Sequence, residues 1–124
     1  MTGEVEALLD RAGRYLDSAG LLLDNGDPES CVSRAYYAMF FVAEAALLEE
    51  GVDASTHRGV ITEFGKRFVQ DGPLPGEMGR LLSTTMQKRQ VSDYEPEPGI
   101  SKDEARGVLE DARGFVDRIA AMLE

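Results

Sequence analysis

Arg89 stands where a helical stripe of apolar residues calls for one more. Met78, Leu81, Leu82 and Thr85 recur at the three- and four-residue spacing of one helix face. One further turn on that face brings Arg89, then Ser92. A guanidinium is costly to bury unpaired, so Arg89 must meet an acid, a phosphate or solvent. Asp93 follows at i+4 and Tyr94 stands next to it, so the three can share one helix end. Two readings are open. In one, Arg89 and Asp93 form an ion pair that closes a helix terminus. In the other, Arg89 binds an anion and is catalytic, Asp93 orients it and Tyr94 donates a hydroxyl.

A second cluster is Ser33-Arg34-Ala35-Tyr36-Tyr37. Helical spacing puts Arg34 on the side of Tyr37 and Phe41, where it is a candidate second anion ligand; the plain alternative is a tyrosine-rich core with a solvated arginine. His57 falls in the first turn of another helix, where it could serve in acid–base or anion binding, or could simply cap or pack. The positive end of the helix dipole disfavours its charged form there. With one cysteine, Cys31, and one histidine, no disulfide can form within the chain and a Cys/His zinc site is nearly excluded. No glycine-rich phosphate loop, nucleophile elbow or HExxH motif is present, and no metal or cofactor is expected.

The elements that must position these residues follow from periodicity. Val5, Leu8, Leu9, Ala12, Tyr15, Leu16, Ala19, Leu22 and Leu23 predict a first amphipathic helix over about residues 5–23, ended by Asn25-Gly26. Asp27-Pro28 opens a second, with Asp27 as cap and Pro28 at the first helical position, and Gly51 stops it. This helix is apolar on two faces. Val32, Tyr36, Met39, Phe40, Ala43 and Leu47 form one; Tyr37, Ala38, Phe41, Ala45 and Leu48 form the other. Both faces need cover, so a second subunit is expected on Tyr37, Phe41 and Ala45, unless the chain itself wraps both sides. Ser55-Thr56 starts a third helix reaching about Gln70, with Val60, Ile61, Phe64 and Phe68 inward and His57 on the same side. A fourth spans about residues 77–92, bounded by turn residues at 71–76 and by the prolines of 93–99. Ser101-Lys102-Asp103-Glu104 is a capping box for a fifth, striped by Ala105, Val108, Leu109, Ala112, Phe115, Val116, Ile119 and Leu123. The expected fold is all-α: an up-and-down antiparallel bundle of four main helices plus one shorter one, forming a single domain over residues 1–124.

The net charge of −10 is uneven. Residues 1–56 carry three Lys/Arg against eleven Asp/Glu, residues 57–89 six against three, and residues 90–124 four against nine. An acidic chain repels nucleic acid at long range, so contact with RNA or a nucleotide should use the 57–89 segment. The longest uninterrupted apolar run, residues 35–43, is about half the ~20 residues of a membrane span. The N-terminus is acidic and lacks the pattern of a signal peptide. A soluble, cytoplasmic protein without membrane contact is expected.

Three blocks, Ser33-Arg34-Ala35-Tyr36-Tyr37-Ala38-Met39-Phe40, Thr56-His57-Arg58-Gly59-Val60-Ile61 and Arg89-Gln90-Val91-Ser92-Asp93-Tyr94, resemble in order and spacing the small stand-alone HEPN proteins of prokaryotes. The capping-box helix that follows matches too, and the resemblance spans about residues 5–122. It implies a helical bundle that forms a homodimer with functional residues near the dimer cleft. It also implies pairing with a minimal nucleotidyltransferase in a toxin–antitoxin module. In many members the domain is a metal-independent ribonuclease, dependent on an arginine and a histidine a few residues later, from both subunits. Arg89 fits the arginine. No histidine follows it, and Asp93 occupies the place. Some members carry a tyrosine near the motif that a partner adenylylates; Tyr94 sits nearer to Arg89 than in that pattern. Three readings follow: a dimeric toxin-module component, a metal-independent endoribonuclease centred on Arg89 and Asp93, or an RNA- or nucleotide-binding module without catalysis.

Overall fold

One helix, α2 (Pro28–Glu49), forms the axis of the molecule, and its composition explains why. Val32, Ala35, Tyr36, Ala38, Met39, Phe40, Val42, Ala43, Ala45, Ala46 and Leu47 point in every direction around it, and all are buried. A helix apolar all round needs cover on every side. In the computed structural model, which describes residues 2–97 and 99–124, the cover comes from the same chain. The helix α1 (Gly3–Asp24) runs along α2, and α3 (His57–Phe64), α4 (Gly76–Tyr94) and α5 (Lys102–Met122) pack on its remaining sides. The result is an all-α bundle, with no strand among the described residues.

This arrangement bears on two expectations. Ala45, placed at a subunit interface by the two-faced pattern, is wholly buried within its own chain, and Phe41 keeps only 7% of its surface. Much of the second apolar face is thus covered by the chain itself, while Tyr37 stays half-buried. In addition, α2 taken whole is long and apolar enough to cross a membrane, although no uninterrupted run within it approaches that length. Its apolar window is 72% buried inside the bundle, so here the composition serves the core.

Local chemistry sets the helix ends. Asp27, Thr56 and Ser101 are N-caps, their side chains accepting from the backbone N–H groups of Ser30, Gly59 and Glu104 at 3.2, 3.0 and 3.0 Å. Thr2 caps α1 in the same way. Gly26 follows α1 with φ +80°, and Gly51 follows α2 with φ +78°, the left-handed conformation that ends helices without a Cβ penalty. The third predicted helix divides in two. Beyond Phe64, residues Gly65–Gln70 widen into a π-helical turn, and Asp71 N–H bonds back five residues to the Lys66 carbonyl at 3.0 Å. The widening keeps Phe68 buried beside Phe64, with ring centroids 5.6 Å apart. Gly72 then turns so tightly that a Cβ would lie 2.4 Å from the Arg67 carbonyl oxygen. The fourth helix continues to Tyr94, a half-turn past its expected end, so Asp93 and Tyr94 are helical.

Candidate functional site

The α4 stripe arrives where its spacing puts it. Met78, Leu82, Thr85 and Arg89 are the buried residues of α4, and Arg89 is only 8% exposed. Its Nη1 donates to Asp93 Oδ2 at 3.0 Å, one turn along the same helix. Its Nε is buried without a hydrogen-bond partner. The guanidinium lies over two rings of α2, 5.4 Å from the Tyr36 centroid and 5.5 Å from that of Tyr37. Cation–π contact compensates part of the lost hydration, yet a buried N–H with no acceptor still carries a desolvation cost.

His57 meets the same two tyrosines from α3. The Thr56 cap fixes the first turn of that helix, and the imidazole packs against Phe40, Tyr36 and Tyr37 at centroid distances of 4.5, 5.7 and 5.7 Å. The Tyr36 hydroxyl and His57 Nδ1 share a hydrogen bond of 2.8 Å. Tyr36 is completely buried, and burial above all raises its hydroxyl pKa far beyond the ordinary tyrosine value. Burial first, then the positive charge of Arg89, lowers the pKa of His57. The site thus holds an always-charged arginine beside a histidine that favours its neutral form.

The expected site residues separate into three places. Arg89, Asp93 and His57 come together. Tyr94 does not join them and is 76% exposed at the end of α4. Tyr37, expected at an interface, is half-buried and packs against both Arg89 and His57. Arg34 is exposed and stacks on the α1 ring of Tyr15, at 4.7 Å from its centroid. It also lines a shallow depression with Ser92 and Asp93. Sequence puts Tyr36 in the cluster of residues 33–37 and in a core stripe, neither of which gives a sign that its hydroxyl holds a histidine. No three His, Cys, Asp or Glu side chains among the described residues converge as metal ligands would.

The bundle buries an arginine near the end of its fourth helix, against tyrosines of its central second helix. A HEPN domain is matched over residues 5–122, and the chain belongs to the HEPN family. It is 34% identical over 114 residues to the UPF0332 protein of Thermotoga maritima, covering 92% of this chain and 86% of that one. It is 35% identical over 121 residues to a Methanocaldococcus jannaschii protein provisionally named a toxin, covering 98% and 90%. Identity reaches 48% over 89 residues with a UPF0332 protein of Pyrococcus horikoshii, covering 72% of this chain and 63% of that one.

Proposed function

We propose that this HEPN protein is the toxin-type component of a two-protein module, dimeric and partnered by a minimal nucleotidyltransferase, and that it engages RNA at Arg89 and His57. The toxin names carried by relatives support the module reading. The observation that carries the site is Arg89 itself, buried, with one N–H unpartnered, on the same pair of tyrosines as His57. A phosphate would supply the acceptor that Nε lacks only if the cover over this closed-off guanidinium opens. The Asp93 carboxylate remains partly exposed and holds the planar guanidinium in place from the solvent side.

Cleavage without a metal requires a group that takes the 2′-hydroxyl proton as its oxygen attacks phosphorus, and a proton for the departing 5′-oxygen. His57 suits both steps. When Nδ1 donates to the Tyr36 oxygen, Nε2 presents the lone pair that a base needs, and the imidazolium so formed can return its proton to the leaving oxygen. Arg89 would offset charge building on the phosphoryl oxygens. Binding without cleavage is the second reading, favoured by Asp93 standing where the family's ribonucleases carry histidine.

Incubating cellular RNA in EDTA with the wild-type protein and with Arg89→Ala separates them. Cleavage by wild type alone establishes the ribonuclease. No cleavage by either, with RNA bound only by wild type, leaves the binding module. No RNA binding by wild type removes the RNA reading altogether.

A further inference from the structure

The most acidic part of the chain, residues 1–56, has three Lys/Arg, and two of them meet on one aromatic ring. Arg34 of α2 stacks 4.7 Å from the Tyr15 centroid, while Arg11 of α1 lies 5.5 Å from the same centroid and 4.6 Å from that of Phe41. Arg11 also donates to the Tyr15 hydroxyl at 3.4 Å. That hydrogen bond, with the nearby charges of Arg11 and Arg34, outweighs burial and lowers the Tyr15 pKa. Tyr15 meets Phe41 edge-on at 5.0 Å and Tyr37 at 6.4 Å. Neither arginine forms an ion pair among the described residues. Arg11, Tyr15, Ser33, Arg34, Tyr37 and Phe41 line one shallow pocket, and no carboxylate is among them. Glu44 feels the charge of Arg11 but does not line it.

Two like charges gathered without a counter-ion, in a segment with acids to spare, leave a set of N–H donors open to an anion. The rings hold the two guanidinium planes in place, and a flat group can stack on those planes. Together they fit a nucleotide unit, in which charge and ring come joined. The pocket also connects to the Arg89 site. Ser33 and Arg34 line the adjoining depression with Ser92 and Asp93, and Tyr37 touches both the pocket and the Arg89 guanidinium. Glu29 and Asp93 border that depression and would repel a phosphate, which favours the Arg11 side of Arg34.

Resting on the RNA reading above, we propose that Arg11, Arg34 and Tyr15 form a second RNA-contact site, gripping a backbone phosphate and an unpaired base beside the strand segment bound at Arg89. The test is fluorescence anisotropy of a short labelled single-stranded oligouridine against salt concentration. The proteins are wild type, the Arg11→Gln/Arg34→Gln double variant, Tyr15→Leu and Arg89→Ala, each checked for helicity by circular dichroism. Each phosphate contact on a single strand contributes about 0.7 to the slope of log affinity against log salt. The double variant should lose about 0.7 of that slope and bind roughly tenfold more weakly at low salt. Tyr15→Leu should weaken binding about tenfold with the slope unchanged. Arg89→Ala should abolish cleavage while keeping the contribution of the two arginines to the slope. A double variant with wild-type affinity and slope overturns this site, and if Arg89→Ala still impairs binding or cleavage, the reading at Arg89 stands alone. A double variant that instead halves the mass in light scattering and binds RNA normally also overturns it, because the patch is then a subunit contact. Absence of oligouridine binding by wild type removes both sites together.

Discussion

Arg89 and His57 are coupled through space, and the coupling has a measurable sign. His57 is the only histidine in the chain, so its imidazole gives one signal to follow by NMR. Burial and the Arg89 charge both depress its pKa below the ordinary value of about 6.5. Arg89→Ala removes the second cause, so the His57 midpoint should rise toward 6.5 in that variant. An unmoved midpoint would mean that Arg89 does not act on His57. The same shift has a consequence for stability. A group whose folded pKa lies below its unfolded pKa binds protons more readily when unfolded. His57 therefore contributes full stability above about pH 6.5, and that contribution is lost as pH falls through its folded midpoint. Urea midpoints measured across this range should fall with acidification less steeply in Arg89→Ala than in wild type.

At the scale of the element, α3 is short, and its register depends on its first turn. The Thr56 hydroxyl oxygen accepts from Gly59 N–H at 3.0 Å, and His57 is the next residue along. Gly59 is the residue that fits, since a Cβ there would come within 2.7 Å of the Thr56 hydroxyl. Loss of such a cap costs about 1 kcal/mol. Thr56→Ala should lower unfolding free energy by about that amount in urea titrations and should loosen the Tyr36–His57 hydrogen bond. Activity at the proposed site should then fall by more than the fraction unfolded explains. An equal fall in both would make the cap purely structural. Along α4, the i+4 spacing joins Arg89 to Asp93, so one helix turn supplies both the cation and the acid that orients it.

At the scale of the molecule, α2 does two jobs. It forms the middle of the core, and it carries the tyrosines on which Arg89 and His57 meet. The chain covers Ala45 and nearly all of Phe41, and leaves Tyr37 half-buried. Among the described residues, the large apolar side chains left exposed are Leu21, Val91 and Tyr94. Two of these lie in the last turns of α4, next to Arg89, which suits a site completed by a second copy. Light scattering at micromolar concentration should give twice the 13.5 kDa of one chain, and Val91→Asp with Tyr94→Asp should return it to a monomer. A monomeric wild-type mass would remove the dimer from the proposal.

Periodicity alone set the five helices and the inward direction of Arg89, and residue type at the helix starts set the caps at Asp27, Thr56 and Ser101. It also set the Arg89–Asp93 pair, because residues four apart on a helix are neighbours whatever surrounds them. The π-helical turn after Phe64 was not visible, since a helical stripe reads alike through a local change of pitch. Nor could periodicity say which helix faces which. Tyr36 and His57 stand 21 residues apart, and only the packing of α3 on α2 brings them to 2.8 Å. Packing likewise turned Arg34 toward Tyr15, left Tyr94 exposed and buried Ala45. A helix's apolar stripe is a local property of 3.6-residue spacing, whereas a site shared by three helices depends on how their side chains interlock across the core.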